Sequence, residues 1–250
     1  MNAKQEDLRL RALLERCDRL GISRIAKDDP RFPKNMLRLP SCPQAIYVRG
    51  SLPRVKSVAC IGTREATLFG RRAAAGIVGA LSANGWSIVS GLAVGIDTAC
   101  HRAALEAGGH TVAVLAHGLN MPVYPPENTG LAQEILSSGG ALISEYPPDT
   151  RATRWSFVAR DRLQAALSLA TICVQTGTRG GSMHAVQSTI DLHRPLFVPV
   201  VPDGYRLEPK NAGIIGLLRD GRAEPIASKA DYPALLRRLE KLALDSDESS

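Results

Sequence analysis

Three glycine-bearing turns hold most of the residues in this sequence that could do chemistry. They are residues 60–70 (C-I-G-T-R-E-A-T-L-F-G), 87–101 (S-I-V-S-G-L-A-V-G-I-D-T-A-C-H) and 175–182 (Q-T-G-T-R-G-G-S). Each turn follows a short apolar run. Glycine lets the backbone approach a ligand closely, and the first N–H groups of a helix have no intrahelical acceptor. A turn built this way is a seat for phosphate. Three of them on one sheet edge point to a surface that collects phosphates or a nucleic-acid backbone.

In the first turn, Gly62 permits a tight bend, while Thr63 and Thr67 offer helix-capping hydroxyls. Arg64 supplies a guanidinium suited to bidentate phosphate contact. Thr63 as a mere cap and Arg64 as a solvated side chain is an equally good reading of that turn alone. In the second, Ser90, Gly91 and Gly95 form a candidate anion cradle. Asp97 would repel a phosphate there, so it is assigned to the start of the following helix. In the third, Arg179 is a cation, Gly181 belongs to a nest of N–H groups, and Ser182 is the expected N-cap. A fourth segment, W-S-F-V-A-R-D-R at 155–162, places Arg160 and Arg162 beside Trp155 and Phe157. Phosphate clamping with base stacking is its functional reading. The competing one buries Phe157 and pairs the arginines with acids such as Asp161; Arg151 and Arg154 just upstream weigh against it.

Catalytic signatures are weak. H-E-x-x-H, G-x-S-x-G and a Walker lysine are all missing from the sequence. Glu145, in I-S-E-Y-P, reads as a hydrogen-bonded strand-end carboxylate rather than a general base. His101 reads as a packing residue. The remaining histidines are isolated and the five cysteines lack ligand spacing, so neither a metal nor a cofactor is expected. The reading is therefore of a binding protein, not an enzyme.

The formal net charge of +7 favours a polyanionic partner. Aromatic residues make up only 4% of the chain, so any stacking surface draws on few side chains. Scattered cysteines, odd in number, read as reduced thiols of a cytoplasmic protein. No apolar run is long enough to cross a membrane, and no signal peptide is recognised.

The turns must be held by a frame. Strands are expected over residues 55–61, 87–89, 111–116, 141–144, 171–174 and 196–200. Helices are expected over 69–84, 96–107, 129–137, 157–166 and 182–192. This alternation predicts an α/β fold: a doubly wound, mostly parallel sheet with helices on both faces. Continuous Val- and Ile-rich strands fit a sheet covered on both sides, and ligands of such sheets bind at the strands' carboxyl ends. Before this domain come a short helix (2–20), a proline-rich arm (28–44) and an edge strand (45–48). After it come an amphipathic helix (234–244) and a tail expected to be disordered (245–250). The expected division is thus an N-terminal helical arm at 1–50, the main domain at 51–227, and a C-terminal helix with acidic tail at 228–250.

In this order, the motifs resemble those of the DprA (Smf) family of DNA-processing proteins. The matching residues are Gly62-Thr63-Arg64 with Thr67 and Gly70, then 90–101, then Tyr124-Pro125 with Asn128. Ile143-Ser144-Glu145 with Pro147, Phe157 with Arg160-Asp161-Arg162, 180–183, and Arg194 with Val198-Pro199 continue the series, with an echo of its tail at Asn211 and Gly221-Arg222-Ala223. The similarity runs from about residue 32 to 227. It implies a Rossmann-like domain that binds single-stranded DNA, assists loading of the RecA recombinase during DNA uptake, and forms a homodimer. It also implies that Gly62, Thr63, Arg64, Phe157, Arg160 and Arg162 belong to the DNA pocket. The chain departs from the family pattern at Asp161 (usually Asn), Gln175 (usually Glu), Gly180 (usually Ser) and Val200 (usually Gly). A second reading is a nucleotide sensor or phosphoribohydrolase of the same superfamily. The hydrolase signature carries a glutamate, whereas residues 176–185 hold no carboxylate.

Overall fold

Runs such as Val58–Ile61 and Val112–Leu115 are apolar at every position, which suits strands covered on both faces. The computed structural model describes residues 3–53 and 56–248. In chain order its elements are α1 (Ala3–Arg19), β1 (Ser23–Ala26), β2 (Ala45–Gly50), β3 (Ser57–Gly62), α2 (Leu68–Ala83), β4 (Ser87–Ser90) and α3 (Ile96–Glu106). Then follow β5 (Thr111–Leu115), α4 (Thr129–Ser137), β6 (Ala141–Ser144), α5 (Arg154–Leu167), β7 (Ala170–Gln175) and α6 (Ser182–Asp191). β8 (Leu196–Pro199), α7 (Ala212–Arg219), β9 (Glu224–Ile226) and α8 (Tyr232–Glu248) close the chain.

The strands form one sheet in the order β1-β2-β6-β5-β4-β3-β7-β8-β9. Every pairing from β6 to β9 is parallel, and β2 runs antiparallel to both β6 and β1. Side chains alternate across it. Val58 and Cys60 of β3 join a core with α2, α3 and α8, while Ala59 and Ile61 face α6 and α7. Val112 and Val114 of β5 pack against α5 and the N-terminal arm; Ala113 and Leu115 meet α4 and α1. The fold is the expected doubly wound, Rossmann-like α/β sheet. From β3 the chain winds outward through β4, β5 and β6, then crosses back to β7 on the other side of β3. That reversal opens a crevice beyond the carboxyl ends of β3 and β7, and the glycine turns lie there.

Several elements differ from the sequence expectation. β2 is not an edge strand, because β1 flanks it; β1 is only four residues long and was not anticipated. Residues 1–50 thus contribute two strands to the common sheet. The proline-rich 28–44 segment contains a short 3-10 turn, Lys34–Arg38. Helix α5 begins at Arg154 rather than 157, because Thr153 and Ser156 form a reciprocal capping box. α7 and β9 were also not anticipated. α8 continues to Glu248, so the tail expected to be disordered from 245 is helical that far; nothing in that stretch, free of glycine and proline, ends a helix. Residue 55, the expected start of the first strand, and residues 249–250 lie outside the described residues.

Candidate nucleic-acid pocket

The three turns interlock through the backbone. Thr63 N donates to Gln175 O (2.7 Å), and Ile96 N donates to Thr63 O (3.0 Å). Gly95 has φ +88, and a Cβ there would collide with the carbonyl of Thr63. Only glycine satisfies both conditions, so Gly95 sets how closely the second turn approaches the first. Asn128 supports the same turn by donating from Nδ2 to Leu92 O (2.8 Å) and to Thr98 Oγ1 (2.9 Å). Leu92 is one of the few non-glycine residues with positive φ (60°).

Two N–H groups of the second turn are already taken. Asp97 Oδ2 accepts from Gly91 N (3.1 Å) and Ala93 N (3.3 Å). Ser90 is fully buried and its hydroxyl donates to Cys60 O (2.7 Å). This turn forms a floor in which two of the would-be anion donors, Gly91 N and Ala93 N, already serve a carboxylate.

Above that floor lies a buried charge cluster. Arg160 is only 4% exposed. Its Nη1 donates to Val114 O (3.1 Å), and its Nε stands 3.2 Å from Asp161 Oδ1. Gln164 Nε2 donates to the same Asp161 oxygen (3.1 Å). Burial raises the Asp97 carboxyl above its ordinary range, against the pull of Arg160 and the turn N–H groups. Asp161 is pushed up to about 6, by burial first and the nearby Asp97 charge second. Arg160, His184 and Arg64 pull it back. His101, buried and bonded through Nδ1 to Thr111 Oγ1 (2.7 Å), is lowered to about 3 by burial and by Arg160. It is neutral at physiological pH.

The crevice over this cluster has a volume of about 710 Å³, in the range of ligand-binding clefts. Arg64 stands over the Phe157 ring, 5.8 Å from its centroid, and Tyr124 packs against the same ring at 5.2 Å. The 176–182 loop forms the opposite wall. Its backbone N–H groups at 177–182 have no protein acceptor among the described residues. Thr176 and Ser182 share a hydroxyl–hydroxyl bond of 2.8 Å. Arg64, Arg154 and Arg179 line the crevice and form no ion pair among the described residues.

The model of the family described as DNA recombination-mediator protein A matches residues 23–237. The chain belongs to the DprA/Smf family. It is 34% identical to Protein Smf of Synechocystis over 85% of its own length and 53% of the relative's. It is 38% identical to a putative DNA processing protein DprA of Mycobacterium tuberculosis, over 76% of this chain and 47% of that one. The chain thus spans about half the length of these relatives. Among solved structures, DprA from Streptococcus pneumoniae superimposes with a TM-score of 0.77 at 29% identity, covering 85% of this chain and 74% of that one. A second, described as giving insight into the single-stranded DNA binding mode of DNA processing protein A from Helicobacter pylori, superimposes with a TM-score of 0.76 at 30% identity. It covers 87% of this chain and 96% of that one.

On this DprA/Smf frame, the candidate residues divide. Gly62, Thr63, Arg64, Phe157, Arg160, Arg179, Gly181 and Ser182 line the crevice. Gly91 lies beneath Arg160, and Ser90 and Gly95 belong to the floor. Arg162 lies outside the crevice. Its guanidinium forms a double bond set with Glu145 (2.7 and 3.3 Å) and also donates to Ser41 Oγ (3.1 Å). Glu145 is thereby the strand-end partner expected of it. Ser182 opens α6 but does not cap it; Gly181 occupies the N-cap position. Thr67 does cap α2, accepting from Gly70 N (3.5 Å).

Sequence reasoning missed Tyr124, Gln164, Thr176 and Lys210 as lining residues. Tyr124 had a signal, since its Tyr-Pro motif was recognised without a role. Lys210 stands next to Asn211, which echoes the family's tail motif, but had no role of its own; it is paired with Glu65 (2.9 Å). The departure at Gln175 has a structural account. Its amide accepts from Thr67 N (2.9 Å) and donates to Thr67 Oγ1 (2.7 Å) and Asn211 Oδ1 (2.6 Å).

Proposed function

We propose that this chain binds single-stranded DNA in the crevice beyond β3 and β7, and that it acts by binding rather than by catalysis. The observation that carries this reading is the convergence of Arg64, Arg154 and Arg179, without ion pairs among the described residues, beside Phe157 and Tyr124. Arginines and open N–H groups donate to phosphate oxygens, while aromatic faces take bases of any sequence. The carboxylates around the crevice have partners: Asp97 the turn N–H groups, Asp161 Gln164 and Arg160, and the exposed Glu65 the surface Lys210. Family membership supports two finer expectations, assistance of RecA loading and a homodimeric state.

The test is fluorescence anisotropy of short and long labelled oligo-dT at two salt concentrations. Tight binding that grows with strand length, weakens with salt and drops in Arg64→Glu supports the reading. No binding at low salt overturns it. Preferential binding of a mononucleotide, without length dependence, would favour a nucleotide sensor instead.

A further inference from the structure

The chain has two tryptophans, and they lie in opposite environments. Trp86 is fully buried, whereas Trp155 is 78% exposed. Trp155 occupies the first turn of α5, between Arg154 and Phe157, which both line the crevice. One turn further along its own stripe is Val158, 37% exposed and also lining the crevice. The indole therefore stands on the helix face that continues outward from the rim. Its backbone is fixed by the capping box, with Ser156 N donating to Thr153 Oγ1 (3.1 Å) and Thr153 N donating to Ser156 Oγ (2.8 Å). Arg151 and Arg154 flank it, and neither forms an ion pair among the described residues.

We propose that Trp155 is a second stacking platform, outside the crevice, for the nucleotides of a single strand leaving it. The inference rests on the single-stranded DNA reading above. A large π-face standing in water on a fixed backbone suits a base, and two guanidinium groups beside it, without ion pairs among the described residues, suit the phosphates on either side. That charge complementarity, continuous with the arginines of the crevice, selects a polyanion over an apolar protein surface. The platform adds a contact only for strands long enough to reach past the rim.

Because Trp86 is buried, tryptophan emission reports mainly on Trp155 when DNA is added. The experiment titrates the wild-type chain with oligo-dT of about 4 and about 20 nucleotides, following emission and anisotropy together. The long strand is expected to quench the emission and the short one to leave it nearly unchanged. Trp155→Ala is expected to weaken binding of the long strand about tenfold and to spare the short one. Trp155→Phe should keep most of the affinity, since an aromatic face remains. If long strands bind in an Arg64-dependent way while emission and Trp155→Ala affinity stay unchanged, the platform is overturned and the crevice stands. If Trp155→Ala weakens both lengths equally, Trp155 acts through the crevice or the fold, and the platform is again overturned. Failure of the wild-type chain to bind either strand overturns the underlying reading and the platform with it.

Discussion

The Arg160 guanidinium lies directly against the backbone of Gly91: a Cβ on Gly91 would overlap Arg160 Nη1 and approach Asp97 Oδ2 to 2.8 Å. Glycine is required here by the space that a buried cation occupies, since nothing about its φ demands it. Gly91→Ala should force Arg160 from the Val114 carbonyl and away from Asp161. Overpacking of this kind costs roughly 1–3 kcal/mol, readable as a lowered midpoint in urea unfolding. Binding of oligo-dT should weaken as well, because the crevice wall shifts. Wild-type stability in Gly91→Ala would show that Arg160 has another place to go.

Arg64 and Arg162 belong to one sequence motif series but should respond oppositely to charge reversal. Arg64 is exposed, packed over Phe157 and in no ion pair among the described residues, although its charge is felt by Asp161. Arg64→Glu should leave unfolding nearly unchanged, weaken oligo-dT binding by about tenfold or more, and reduce the slope of log affinity against log salt by about one. Arg162 is half-buried against Glu145. Arg162→Glu places two carboxylates together and should cost roughly 3 kcal/mol of stability, with binding per folded molecule largely kept. Equal losses of affinity in both variants would return Arg162 to the binding surface.

Much of the frame was legible in the sequence because its strands are apolar runs punctuated by glycine. Residues 129–137 and 141–144 were bounded correctly on that basis. β1 and β9 are too short, and too polar at their ends, to announce themselves; they form because a neighbouring strand offers them a ladder. At the site, side-chain type gave candidates, but partners decided among them. Arg160, Arg162 and Arg64 look alike in sequence. Only the fold places Glu145 beside Arg162, turns the neighbouring Asp161 back onto Arg160, and leaves Arg64 without an ion pair among the described residues. Likewise, the sequence does not tell that Asp97 occupies the Gly91 and Ala93 N–H groups of the second turn, while those of the third stay open.

Gln175 joins three elements by giving and accepting hydrogen bonds at once. Its Nε2 donates to Asn211 Oδ1 at 2.6 Å while Asn211 Nδ2 is committed to Tyr205 O (2.9 Å). Gln175→Glu removes both donated bonds and sets a buried carboxylate against Asn211 Oδ1. We expect a loss of about 2 kcal/mol, larger at pH 8 than at pH 5, where a buried glutamate can take up a proton. A pH-independent change in the urea midpoint would show that Asn211 turns its amide over to receive the carboxylate.

Asp161 sets a negative charge in the wall of a crevice otherwise suited to anions. Its carboxyl is pushed up to about 6, against an ordinary 3.8, with Arg160, Asp97, His184 and Arg64 as the charged or titratable neighbours. Above that pH it is ionised and opposes a bound phosphate; below it the opposition disappears. Asp161→Asn should therefore bind oligo-dT about threefold to tenfold more tightly than wild type at pH 7.5, with the gap closing towards pH 5. Stability follows the same titration. Between pH 3.8 and about 6 the folded chain holds a proton that the unfolded chain releases, so this group's contribution to stability falls as pH rises through that window. Asp161→Asn lacks that penalty and should gain on wild type from pH 4 to 6, then keep a constant advantage of roughly 1–3 kcal/mol. Comparing the two proteins cancels the titrations they share. A pH-independent difference in both affinity and stability would mean that Asp161 is ionised throughout, held by Arg160 more firmly than burial opposes it.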